Sequence, residues 1–173
     1  KKGDPVKTGG YPITLSAGSA SNYTVPAATG TLTVTPREIN WSTLGVKAAD
    51  KSKTYGQEDP ALTLENWPAG LDKDHFNISV TRDTTKENAG QYPITATVTV
   101  KPEHAANYNL AGKPGDGTFT IHKKALTVKV TDHALVYGAD VPSLTATYSG
   151  FVNGDTVKDI TQGTLSTTYK KGD

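Results

Sequence analysis

The chain has neither cysteine nor methionine. Disulfides, thiolate nucleophiles and thiolate metal sites are therefore excluded. Small extracellular domains usually rely on disulfide staples. A cysteine-free one must be held by packing, by neighbouring modules or by another cross-link. Hydrophobic residues make up only 35%, against roughly 45–50% in an average globular protein with glycine counted. That supply suits small, thin cores. The charges nearly cancel to a net +1, and no basic run occurs, so neither nucleic acid nor an anionic membrane surface is indicated as a partner. No apolar run approaches the length of a membrane span. No leader segment is recognisable, so the chain reads as a mature segment or a piece of a longer protein.

What the chain does have is threonine, glycine and proline arranged around short alternating runs. Thr118-Phe119-Thr120-Ile121 and Leu126–Thr131 alternate polar and apolar residues. Period two is the signature of a half-buried strand, whose side chains point to opposite faces in turn. Further strands are predicted at Tyr11–Leu15, Asn22–Val25, Gly30–Thr35, Ile39–Val46, Ala61–Leu64, Phe76–Val80, Tyr92–Val100 and Asn107–Leu110. Pro36 ends one of them, and Pro93 places the start of another at an edge, because proline cannot donate to a ladder. Asn153-Gly154 is a hairpin-turn signal, since both residues tolerate positive φ. No segment carries a 3.6-residue apolar period, so little or no helix is expected.

The runs recur in order. Tyr55-Gly56-Gln57-Glu58-Asp59-Pro60-Ala61-Leu62-Thr63 is matched 82 residues later by Tyr137–Thr145, and Thr8–Thr14 parallels Ala89–Thr95. Asn22-Tyr23 parallels Asn107-Tyr108, and Gly30–Val34 parallels Gly117–Ile121. Residues 39–124 then form one complete module, 1–38 the second half of a module and 125–173 the first half of another. An alternative register places the units at 1–83 and 84–173. Lys-Lys-Gly-Asp stands at both 1–4 and 170–173, which reads as a tandem array with a period of 169 residues. In the first register the two terminal halves would complete each other between molecules, and head-to-tail self-association is expected. About seven short strands per module, with turns every 8–12 residues, predict an all-β protein of tandem immunoglobulin-like sandwiches. A β-grasp module is the alternative.

The combination Tyr-Gly-x-x-x-Pro-x-Leu-Thr, Gly-x-Tyr-Pro-Ile-Thr, Asn-Tyr and Gly-Thr-x-Thr resembles the MBG domain family of YGX type. The residues carrying it are Tyr55, Gly56, Pro60, Gly90, Tyr92, Asn107, Tyr108 and Gly117–Ile121, with Tyr137, Gly138, Pro142, Gly9, Tyr11, Asn22, Tyr23 and Gly30–Val34 as counterparts. The loop Trp67-Pro68 departs from its partner Ser149-Gly150. The resemblance implies an extracellular repeat of a Gram-positive, cell-wall-anchored surface adhesin, similar to repeats of lactic-acid-bacterial proteins that adhere to mucus. It implies host mucin glycans or glycoproteins, or another surface polymer, as partners, along with neighbouring repeats. The rival function is a stalk that spaces a distal binding domain from the wall.

Chemistry in the residues themselves is sparse. His75, His104, His122 and His133 lack zinc-type spacing. Asp72-Lys73-Asp74-His75 has carboxylates for a hard cation but no glycine-turn loop, so neither a metal site nor a cofactor is expected. No nucleophile elbow occurs, and no catalytic residue is assigned. Lys47 or Lys129 with Asn107 or Asn109 supply the residue types of an isopeptide cross-link, without a position that selects them. Tyr92 and Tyr108 recur and read as core or corner residues. Trp41 falls where the second copy has Val128, which also argues core. Trp67 has no counterpart there and lies in a loop, where an indole can stack on a sugar face. Trp67 with Asn66 is the candidate ligand contact.

Overall fold

A computed structural model describes residues 4–171. The Lys-Lys-Gly-Asp repeat at the two ends lies largely outside them. The chain is all-β. Strands run β1 Tyr11–Leu15, β2 Gly18–Ala20, β3 Tyr23–Val25, β4 Ala28–Leu32, β5 Arg37–Asn40, β6 Lys47–Ala48, β7 Lys51–Thr54, β8 Leu64–Glu65, β9 Phe76–Arg82, β10 Gly90–Val100, β11 Tyr108–Ala111, β12 Gly117–His122, β13 Thr127–Val130 and β14 Ala146–Ser149. A single four-residue turn of α-helix, α1 (Trp41–Leu44), and three 3-10 turns complete the described elements.

The helical turn corrects the expectation of one strand over Ile39–Val46. The Asn40 side chain accepts from the backbone N–H of Ser42 and Thr43, at 3.1 and 3.3 Å. Gly45 at φ 66° then closes the turn. An amide cap and a left-handed glycine satisfy the helix ends. The strand therefore stops at Asn40, and the next strand, from Lys47, pairs with β8 in a separate sheet.

Strands β7, β12, β10 and β9 form a four-stranded sheet in that order. Strand β10 runs antiparallel to β9 from Ile94↔Arg82 to Val100↔Phe76. Pro93 lies just outside that ladder, where its missing N–H leaves no gap. Strand β5 pairs in parallel with β11, with Ile39 opposite Leu110. The alternation shows in burial. Ile94, Ala96 and Val98 of β10 are buried while Thr95, Thr97 and Thr99 are exposed. In β12, Gly117, Phe119 and Ile121 are buried.

Two compact units emerge from the contacts. The first takes in 4–51, 61–85 and 91–119. Its core is Ile39, Trp41, Val46, Leu71, Phe76 and Val98, flanked by Trp67, Tyr108 and Leu110. Trp41, Trp67 and Phe76 form a ring cluster with centroids 5.5–5.8 Å apart, separations at which aromatic pairs attract beyond simple burial. Arg82 is buried with its guanidinium 4.4 Å from the Phe119 ring centre. The second unit takes in 52–60, 86–90 and 120–171. It contains the Tyr55-Gly56 corner, the β13–β14 pair and the loop after β14.

The ladders fix how the copies correspond. Lys47↔Glu65 and Ala48↔Leu64 pair β6 with β8. Lys129↔Thr147 and Val130↔Ala146 pair β13 with β14. The 82-residue spacing carries the first set onto the second, so Val128 is the counterpart of Val46, not of Trp41. Trp41 is indeed core, at 1% exposure, but it sits in the helical turn that the second copy lacks. Strand β14 is also longer than β8, which shifts the following loop by two residues. Asn66 and Gly150 then share positive φ, as do Gly70 and Gly154. Phe151 is thus the counterpart of Trp67, correcting its pairing with Ser149-Gly150.

Candidate functional site

The Trp67 loop starts at Asn66, held at φ 59°. Its side chain donates to the Gly45 carbonyl at 3.0 Å and ties the loop to the end of α1. Trp67 is half-buried in the ring cluster, and its indole N–H donates to the Leu71 carbonyl at 2.8 Å. Lys73 Nζ lies 5.6 Å from the indole centre. Structure therefore brings Asn66 and Trp67 together, but each spends a donor inside the module. What remains to a ligand is the outer part of a half-buried indole beside Asn66.

The histidines separate into two kinds. His75 and His104 stack with ring centres 3.8 Å apart, and His75 Nδ1 lies 2.6 Å from the Tyr108 hydroxyl. Tyr108 packs on Phe76 in the core. Asp72 uses its carboxylate to cap the 3-10 turn, accepting from the Asp74 N–H at 3.0 Å. Among the described residues, no group of three or more His, Asp or Glu is arranged to hold a metal ion. His122 and His133 are exposed. Three of the four candidate isopeptide residues have other partners: Lys47 pairs with Glu65 at 2.9 Å, Asn107 accepts from the Val6 N–H and Asn109 donates to Glu38.

A second site forms at the Tyr55-Gly56 corner within the second unit. The Tyr55 N–H donates to the His122 carbonyl at 2.9 Å, and Gln57 closes the turn with bonds to and from Thr54. Gly56 adopts φ 85°, and a Cβ there would drive into the Val152 side chain. Only glycine meets both demands. Val152 is presented by a turn whose centre, Asn153-Gly154, has φ 56° and 83°, as its sequence predicts. Between corner and loop lies an open cleft of about 490 Å³. Tyr55 and Phe151 supply rings to its lining, Asn88 an amide, Lys123 and Lys124 cations and Asp155 a carboxylate. Both lysines are exposed, while Tyr55 and Phe151 are half-buried. Sequence reasoning missed this cleft because its walls come from segments far apart in the chain. The doubled Tyr-Gly motif and Asn153-Gly154 were the visible traces.

Beside the corner, Lys53 is buried between two acids. Its Nζ lies 2.8 Å from Asp59 and 2.5 Å from Glu87. Burial works against the ammonium, but the hydrogen bonds and charges of both carboxylates outweigh it and hold its pKa above the usual lysine value. The arrangement neutralises a charge rather than poising one for catalysis.

The MBG domain (YGX type) profile matches residues 44–120 and 126–172. Comparison with curated proteins and with solved structures finds no match. The two matched segments are adjacent and cover most of the chain, each bearing its own Tyr-Gly corner. No described helix is long and apolar enough to cross a membrane. The chain belongs to the YGX-type MBG domain family, as a tandem repeat of the kind found in surface adhesins.

Proposed function

We propose that this chain is a repeat of a Gram-positive, cell-wall-anchored adhesin that binds host mucin glycoproteins through weak contacts multiplied along the array. The observation that carries the reading is the cleft beside Tyr55, with two half-buried rings, an amide and a lysine pair on its rim. Rings stack on sugar faces, the amide and carboxylate match hydroxyls, and Lys123-Lys124 suits the acidic groups of mucin glycans. An open site of this size binds weakly. Tandem repetition raises the effective concentration, so avidity exceeds the affinity of any one copy. Trp67 and Asn66 offer a second contact.

The test is binding of the 173-residue chain to immobilised mucin before and after periodate oxidation of its glycans. Binding that falls on oxidation, and falls again in Lys123→Ala/Lys124→Ala and in Phe151→Ala, supports the reading. Binding indifferent to both overturns it.

The stalk reading is favoured by one contact. Gly56 and Val152 pack with no room for a methyl group, as a stiff connection requires. Absence of mucin binding by the intact chain would favour it.

A further inference from the structure

Building on the glycan-binding reading of the cleft beside Tyr55, we propose that this cleft selects an acidic sugar and that two successive repeats are needed to build it. Lys123 and Lys124 would take the sugar's carboxylate or sulfate, while Tyr55 of one repeat and Phe151 of the next would hold its ring.

The walls come from both sides of the repeat junction. Tyr55 and Asn88 lie in the first profile match, and Phe151 and Asp155 in the second. Lys123 and Lys124 fall between the matches, which end at residue 120 and resume at 126. All these segments belong to one compact unit, 52–60, 86–90 and 120–171. A repeat by itself therefore holds only one of the two rings.

The walls are also tied to each other. The Tyr55 N–H donates to the His122 carbonyl at 2.9 Å, immediately before Lys123. Val152, next to Phe151, packs against Gly56 with no room for a methyl group. One contact anchors the Tyr55 corner to the connection, and the other anchors the Phe151 loop to that corner. A ligand need not draw the walls together, which spares it an ordering cost.

Unspent charge points to the class of sugar. Lys47 is paired with Glu65, and Lys53 with Asp59 and Glu87. Among the described residues, neither Lys123 nor Lys124 has an ion pair. Of the two acids on the lining, Asp159 is occupied, accepting from the Thr156 N–H at 2.7 Å and from its hydroxyl at 3.0 Å. Two cations then face the single carboxylate of Asp155. A neutral sugar would use the rings and Asn88 and leave both ammonium groups idle, whereas a carboxylate or sulfate ester engages them. At the preceding junction the matched positions are Pro36 and Arg37, and Arg37 donates to the Gly70 carbonyl at 3.1 Å. The free lysine pair is thus particular to this junction and sets its selectivity. Exposed ion pairs are weak and screened by salt, so the preference is several-fold and falls with ionic strength.

The experiment is an NMR titration of the intact, isotope-labelled chain with sialyl-lactose, lactose 3′-sulfate and neutral lactose, at about 20 mM and about 200 mM salt. At low salt at least one acidic sugar should bind several-fold more tightly than lactose, and the preference should shrink at high salt. The amides of Tyr55, Asn88, Lys124 and Phe151 should move with one dissociation constant. The stronger of the two acidic sugars tells carboxylate from sulfate. Lys123→Ala/Lys124→Ala should bring that sugar down to the level of lactose. Tyr55→Leu and Phe151→Leu keep an apolar side chain and remove a ring, and each should weaken binding roughly two- to tenfold. A thermal melt confirms that each variant is folded. Equal binding of all three sugars overturns the selectivity. Shifts confined to one repeat, with one of the ring variants binding like the parent, overturn the shared site. No response to either acidic sugar overturns the whole inference. Periodate-sensitive mucin binding by the same chain would then leave the adhesin reading standing, and its absence would remove both. Acidic sugars bound at the cleft without mucin binding uphold this inference and fail that reading.

Discussion

Trp67 donates its indole N–H to the Leu71 carbonyl at 2.8 Å, across a ring cluster that also holds Trp41 and Phe76. The bond fixes the loop 67–71 onto the core of the first unit. Trp67→Ala removes both the ring and the bond. For a half-buried tryptophan the expected loss is about 2–4 kcal/mol, somewhat below the usual cost of truncating a fully buried one. Trp67→Phe keeps most of the ring packing and gives up the bond, for about 1 kcal/mol. Urea unfolding of the two variants measures both. A neutral Trp67→Ala would show that the loop is not part of the core.

Trp41 behaves differently. Its ring is 1% exposed, yet among the described residues its Nε1 has no hydrogen-bond partner. Leaving a buried donor unpaired costs about 1–3 kcal/mol. Trp41→Phe removes that donor while opening a smaller void. The two effects oppose each other, and a net loss of no more than about 1 kcal/mol is expected. The urea midpoint and slope report it.

Lys53 gives a pH dependence whose sign is fixed. Its pKa is raised in the folded chain by Asp59 and Glu87 despite burial. A raised lysine pKa adds stability that is fully present below the unfolded value and is lost as pH rises through the folded one. The ordinary lysine value is about 10.4, so the loss begins near and above that pH. Replacing the cluster by the apolar residues at the matched repeat positions, Leu135, Val141 and Val6, as Lys53→Leu/Asp59→Val/Glu87→Val, should remove this part of the alkaline loss. Lys47, also raised by Glu65, is common to both proteins and cancels in the comparison. Lys53→Leu alone removes two charge-assisted hydrogen bonds and sets an apolar side chain against both carboxylates, and should cost about 1.5–3 kcal/mol. Thermal melts from pH 7 to 11 separate these outcomes.

The two Tyr-Gly corners provide an internal control. Gly56 and Gly138 have φ of 85° and 80°, so alanine strains both backbones alike. Only Gly56 faces Val152. Gly56→Ala should therefore destabilise measurably more than Gly138→Ala, and Val152→Ala should relieve part of the excess. A double-mutant cycle on Gly56 and Val152 reads the coupling.

The strands that alternate cleanly were legible in the sequence. Strands β10 and β12 place threonine outward and isoleucine, valine or phenylalanine inward, and tertiary packing does not contest that pattern. The Ile39–Val46 run was not legible as a strand and a turn. The Asn40 cap and the left-handed Gly45 close a helical turn between Ile39 and Val46. Trp67 was misaligned because β14 is longer than β8, and a two-residue shift hides Phe151 behind Ser149-Gly150. The Lys53 cluster joins residues separated by a sequence distance of 34, a distance that no local spacing rule spans. The cleft was hidden for the same reason. Its rings, Tyr55 and Phe151, sit on opposite sides of a repeat boundary.

The most direct measurement of the central claim is surface-binding of the intact chain to native mucin and to periodate-oxidised mucin, with Lys123→Ala/Lys124→Ala as the cleft control. The account expects weak binding to native mucin, loss on oxidation and a several-fold loss in the double variant with an unchanged melt. Equal binding to both mucins, or a double variant that binds like the parent, would contradict it.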